Sequence, residues 1–259
     1  MTSDDALTDH GGDGPPILLL HGLMGRGRTW ARQIGWLRRY GRVFTVDAAW
    51  HTGPIIKPWT VAPDAIATER FVDDIVDVLA RIAEATIDDE KAVLIGHSMG
   101  GLHAWCTAAA HPELVRGLVV EDMSPISEAR RRGAGPRGSS PGGPVHLPEP
   151  CAADVRRGGW PVLLRGLRRR PAPWRPRGVR EHRRAVGQRE YWAQWDAVSV
   201  PTLLLEAGFT VTPPGQMAAM AARNPSVTYV VASGAGHLIH DDAPEFFRGA
   251  VEAFPSALS

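Results

Sequence analysis

Apolar residues gather along this chain in two alternating rhythms. Short, unbroken runs end at a glycine or an acidic residue. They are Ile17-Leu18-Leu19-Leu20, Val43-Phe44-Thr45-Val46, Val93-Leu94-Ile95, Leu118-Val119-Val120, Thr202-Leu203-Leu204-Leu205 and Val227 to Val231. Continuous runs of this length, rich in branched residues, are the mark of strands buried on both faces. Between them apolar residues recur every three or four positions. Trp30, Ile34 and Leu37 predict a helix over 29–40, and Phe71, Ile75, Val78, Leu79 and Ile82 predict one over 68–85. Asp73, Asp74 and Asp77 fall off that second stripe and are read as a solvated face. Leu102, Trp105, Cys106 and Ala109 mark a third helix, Met217, Met220 and Ala221 a fourth, and residues 244–254 a closing one. Residues 1–14 are polar and Gly-rich with little strand signal, and 48–67 read as a loop. Strand–helix alternation with unbroken apolar strands predicts an α/β protein, its mostly parallel central sheet covered by helices on both faces.

Composition adds bounds rather than answers. The chain of 259 residues is 44% hydrophobic, enough for one sizeable core, and its net charge of +1 suggests neither a nucleic-acid nor a membrane partner. Two cysteines, Cys106 and Cys151, make no disulfide framework, and Cys106 sits on an apolar helix face as a small core residue. The acidic start lacks the apolar stretch of a leader, and no run approaches a membrane span, so the expected compartment is the cytoplasm. Scattered His and Asp lack metal-ligand spacing, and Gly22, Gly25 and Gly27 do not form a dinucleotide fingerprint. No metal and no cofactor is expected.

The chemistry centres on Val93-Leu94-Ile95-Gly96-His97-Ser98-Met99-Gly100-Gly101. A strand runs into a helix through a turn with a serine at its apex, the Gly-x-Ser-x-Gly elbow. The turn is tight enough that a β-carbon at the glycines would strike its neighbours. The amide after the serine falls at a helix N-terminus, where unpaired N–H groups favour an oxyanion. In an open α/β sheet, functional groups collect at the carboxyl ends of the strands. Those ends carry His21-Gly22-Leu23-Met24-Gly25, then Ser98, then Glu121-Asp122, then Glu206, then Gly234-Ala235-Gly236-His237. Ser, acid, His in that order is one known triad order.

With these motifs on three strand ends, the sequence resembles the α/β-hydrolase family over residues ~15–126 and ~191–255. His-Gly-x-x-Gly, Gly-His-Ser-Met-Gly-Gly and Gly-x-Gly-His are motifs it shares. The resemblance implies the α/β-hydrolase fold, with Ser98 as nucleophile, His237 as base and the backbone amides of Leu23 and Met99 as oxyanion donors. The usual family position for the acid falls on Val211, which cannot orient an imidazole. Two carboxylates stand in for it. Asp122, placed like the acid of some short esterases, is preferred, and Glu206 is the alternative. Glu121 should face the other side of its strand. His97, His103, His111 and His240 receive packing or solvent roles, and His21 a structural one under the oxyanion loop. Asp47, in an Asp-x-x-x-His-x-Gly turn with His51 and Gly53, is read as loop-fixing.

One segment breaks the pattern. The family's helical cap should lie between the Asp122 strand and the next, giving a core of 1–126 and 191–259 and a cap region of 127–190. Within it, residues 129–190 hold 16 Arg, no Lys and 4 acidic residues, with many Gly and Pro. This irregular Arg/Gly/Pro-rich insert stands in place of the helical cap. It reads as a basic anion- or nucleic-acid-binding insert, as a disordered one, or as GC-rich codons translated out of frame. The expected activity is that of a serine hydrolase cleaving a small-molecule carboxylic ester through an acyl-enzyme. A hydrolase-fold protein without catalysis is the competing class. Lactonase, thioesterase, C–C hydrolase and cofactor-free haloperoxidase chemistry stay open.

Overall fold

The structure, a computed structural model, describes residues 6–49, 51, 67–86, 90–126 and 189–254. The insert up to residue 188, the Gly53 part of the Asp47 turn and most of the 48–67 loop lie outside the described residues. The strands are β1 (Leu7–Asp9), β2 (Pro16–Leu20), β3 (Arg42–Val46), β4 (Ala92–His97), β5 (Val115–Glu121), β6 (Thr202–Phe209) and β7 (Val227–Gly236). They form a seven-stranded sheet in the order β1-β3-β2-β4-β5-β6-β7. Only the β1–β3 pairing is antiparallel. The helices are α1 (Ala31–Leu37), α2 (Thr68–Ala85), α3 (Met99–Ala110), α4 (Trp192–Asp196), α5 (Gln216–Arg223), α6 (Ile239–Asp242) and α7 (Pro244–Glu252).

Alternation along each strand divides the core in two. Leu18, Leu20, Leu94, Leu118 and Val120 pack with Val78, Leu102, Trp105 and Trp195 on the face covered by α2–α5. Ile17, Leu19, Val93, Ile95 and Val119 pack with Trp30, Leu37, Phe247 and Val251 on the face covered by α1, α6 and α7. The central strands are fully buried, which is why their sequences carry no polar face. Burying each large aliphatic side chain stabilises the fold by about 1.5–3 kcal/mol before chain entropy is set against it.

Three readings need correction. The Gly-rich start does form a strand, β1. Its three residues gain their hydrogen bonds from the edge of β3, a partner no local pattern reveals. Asp74 is not on the solvated face of α2. It is buried and takes a 2.7 Å bond from Arg70, one turn earlier, while Asp73 and Asp77 are exposed. β7 runs on to Gly236, past its apolar stretch, because β6 continues beside it to Phe209. The two edges of the described core also meet: the amide of Tyr191 donates to the carbonyl of Pro125 at 3.0 Å.

Candidate active site

β4 delivers Ser98 at the centre of the sheet's carboxyl edge. Its backbone has φ 52 and ψ −122, a conformation costly for a residue with a β-carbon. The elbow holds it there. The Ser98 amide donates to the carbonyl of Glu121 at 2.8 Å, and the Ser98 carbonyl accepts the amide of Leu102. Close backbone contact makes the flanking glycines necessary. A β-carbon on Gly100 would lie 2.3 Å from the carbonyl oxygen of Leu20, and one on Gly96 would lie 2.5 Å from that of Gly100. Neither contact can be relieved by a side-chain rotation.

The loop after β2 closes on Ser98 from one side. A β-carbon on Gly22 would come within 3.2 Å of the Ser98 β-carbon. The loop is set by buried histidines rather than by its own turn alone. His21 donates from Nδ1 to the carbonyl of Gly22, and its Nε2 accepts the amide of Ala48. His51 Nε2 accepts the amide of Met24 at 3.3 Å, and Asp47 accepts the amide of Gly27 at 2.6 Å. Asp47 and His51 therefore fix this loop. Among the described residues the amides of Leu23 and Met99 take no acceptor, Met99 being the first residue of α3.

β7 and α6 bring His237 to the same edge. Its Nδ1 lies 2.6 Å from Oδ2 of Asp122, whose side chain is fully buried while that of His237 is 25% exposed. Asp122 follows β5 with φ 46 and accepts three further hydrogen bonds. They come from Thr210 Oγ1 at 2.6 Å, the Ala207 amide at 3.0 Å and the Val211 amide at 3.4 Å. Burial pushes its pKa up. The bonds from His237, Thr210 and Ala207 outweigh that and hold it below the usual carboxylate value. The carboxylate is thus an anion held by N–H and O–H donors, Nδ1–H of His237 among them.

Of the sequence candidates, the structure joins Asp122 to His237 and leaves Glu206 apart. Glu206 pairs with the hydroxyl of Tyr229 on the neighbouring strand. Val211, at the usual acid position, still serves the carboxylate through its amide. Thr210 was missed by the sequence reading, and its only signal is a hydroxyl beside that position. His240 is neither a solvent nor a plain packing residue: it is buried and bonded to Glu121. Glu121, the last residue of β5, bonds His240 and not His237. Burial pushes the Cys106 thiol up to about 12, so it is a core residue without thiolate character. No group of three or more metal-ligating side chains occurs among the described residues.

A seven-stranded, mostly parallel sheet with a serine elbow at its centre is the frame of an α/β hydrolase. The model of the "Alpha/beta hydrolase family" matches residues 17–250, so the chain belongs to that family. The curated proteins it resembles include ones named as lipases and esterases. One is the sn-1-specific diacylglycerol lipase ABHD11 of Danio rerio, 36% identical over 121 residues, which is 45% of this chain and 34% of that protein. The ABHD11 of Mus musculus is 27% identical over 93% of this chain and 80% of its own length. The pimeloyl-(acyl-carrier protein) methyl ester esterase of Vibrio campbellii is 33% identical over 46% of this chain and 41% of its own. The chain spans about a third to two fifths of the first curated relatives it matches. In fold it is similar to a hydrolase from Pseudomonas aeruginosa, at TM-score 0.70, 21% identity and coverage of 98% and 97%. No helix among the described residues is long and apolar enough to cross a membrane.

Proposed function

We propose that this protein is a cytoplasmic serine esterase that cleaves a small carboxylic ester through an acyl-enzyme. The observation that carries the reading is the 2.6 Å contact between His237 Nδ1 and a buried, ionised Asp122, on the same sheet edge as Ser98. A serine hydroxyl is a weak nucleophile until a base takes its proton. In this reading His237 Nε2 takes the proton of Ser98 as the oxygen attacks the ester carbonyl. Asp122 fixes the tautomer and stabilises the imidazolium that forms. The amides of Leu23 and Met99 receive the charge on the carbonyl oxygen, and losing one such donor typically costs about 3 kcal/mol. His237 then protonates the departing alcohol, and a water activated by the same ring releases the acid. The route needs no cofactor.

Labelling with a fluorophosphonate probe tests the reading. Wild-type protein should label, Ser98→Ala should not, and the labelled peptide should contain Ser98. Folded wild-type protein that takes no probe and hydrolyses no activated short ester would refute it.

A further inference from the structure

A second carboxylate–imidazole pair lies directly behind the first. Glu121 is fully buried, and His240 is 1% exposed. The carboxylate accepts the amide of His240 at 2.9 Å through Oε1, and Nδ1 of the same residue at 2.7 Å through Oε2. The ring of His240 stacks on Trp30 at 4.2 Å between centroids, and its carbonyl accepts the amide side chain of Gln33 at 2.6 Å. His240 is therefore held through its amide, its carbonyl, its ring nitrogen and its ring face. A buried ion of this kind is an expensive way to anchor a four-residue helix if anchoring were its only effect.

Its position supplies another. His240 is three residues beyond His237, so whatever holds the first turn of α6 sets where the base stands. Glu121 and Asp122 are consecutive, the last residue of β5 and the first beyond it, and their carboxylates bond different imidazoles. One grips His237 and the other grips the turn that carries it. Glu121 also accepts the Ser98 amide through its backbone carbonyl. Between the two imidazoles stands His97, whose Nε2–H donates to the carbonyl of His237 at 2.9 Å. Its ring lies 4.5 Å from that of His237 and 5.4 Å from that of His240. The elbow, the base and the second pair thus share one two-residue support.

We propose that Glu121 and His240 are positioning residues for the base, fixing His237 against Asp122 and Ser98. The inference rests on reading His237 as the base. A displacement of about 1 Å at a reacting group can cost on the order of a hundredfold in rate. His240→Leu keeps the apolar contacts with Trp30 and loses the ring N–H. It should lower kcat on p-nitrophenyl acetate about ten- to hundredfold, leave KM nearly unchanged, and slow fluorophosphonate labelling of Ser98 by the same factor. His240→Asn, whose amide N–H replaces Nδ1–H, should recover most of that loss. The downfield proton resonance of the His237–Asp122 bond should shift in His240→Leu and return in His240→Asn.

Folded His240→Leu with wild-type kcat would overturn the inference while leaving the esterase reading intact. A KM rise in place of a kcat loss would also overturn it. If His240→Leu does not fold, Glu121→Gln decides the matter: reduced kcat at wild-type KM supports the proposal, and wild-type kcat refutes it. An inert wild-type protein would remove the esterase reading and this inference together.

Discussion

Asp122 concentrates several unfavourable terms in one residue. Its φ of 46 is a region that costs a residue with a β-carbon about 1–2 kcal/mol, and full burial of a carboxylate costs several more. Four hydrogen bonds offset the burial, and all four come from residues far away in sequence. Replacing Asp122 by Asn keeps the shape but places an amide where His237 Nδ1–H must donate. The imidazole would then turn or change tautomer. We expect kcat on an activated short ester to fall by about 10³-fold or more. Glu206→Gln, which changes only the partner of Tyr229, should stay within about twofold of wild type. Steady-state kinetics of both variants makes the comparison. The reverse pattern would move the acid to Glu206. Both carboxylates sit at strand ends, and in the sequence only the resemblance to some short esterases puts Asp122 ahead of Glu206. The support from Thr210, Ala207 and Val211 was not readable, because no local spacing links β5 to the turn after β6.

At the scale of the element, the β4–turn–α3 unit is a packing solution as much as a catalytic one. α3 begins where its backbone touches β2, and Gly100 makes that contact possible. Gly100→Ala would push a methyl against the carbonyl oxygens of Leu20 and His21, at 2.3 and 2.6 Å. Strand and helix would have to separate. Urea unfolding should show a loss of about 2–4 kcal/mol. Gly35 is the contrasting case. It sits exposed inside α1, and a β-carbon added there would meet nothing within 4 Å. Gly35→Ala should therefore stabilise by about 0.5–1 kcal/mol through helix propensity alone. The helices were legible where an apolar stripe met a clear polar face. α2 spans Thr68–Ala85 as its periodicity predicts. Asp74 escaped that reading because periodicity assigns a residue to a face, while its burial depends on what the rest of the fold sets over that face.

On the scale of the whole molecule, the sheet edge encloses histidines that stay neutral. Burial pushes His21 down to about 3 and His97 to about 4, from an ordinary value of 6.5. Between those values and 6.5 the unfolded chain binds protons that the folded one refuses. Stability is therefore full above about pH 6.5 and falls as the pH drops toward 4. At pH 5 each ring should withdraw about 2 kcal/mol. Denaturant titrations at pH 7 and pH 5 would measure the difference, and His97→Gln should flatten part of the slope. A pH-independent free energy of unfolding across that range would show that these rings are charged in the folded state.

Strand–helix alternation, the serine elbow and the strand-end residues were determined by sequence alone. Each depends on local pattern: unbroken apolar runs, glycines at a forced close approach, and helical spacing. The tertiary structure decided what no window of residues contains. It gave β1 its partner, turned Asp122 rather than Glu206 toward His237, and buried Glu121 with His240. These choices are made by pairings across 35 residues of chain (Asp9 with Phe44) to 119 (Glu121 with His240). A carboxylate's role follows from which donors surround it, and those donors arrive only when β5, β6 and β7 lie side by side.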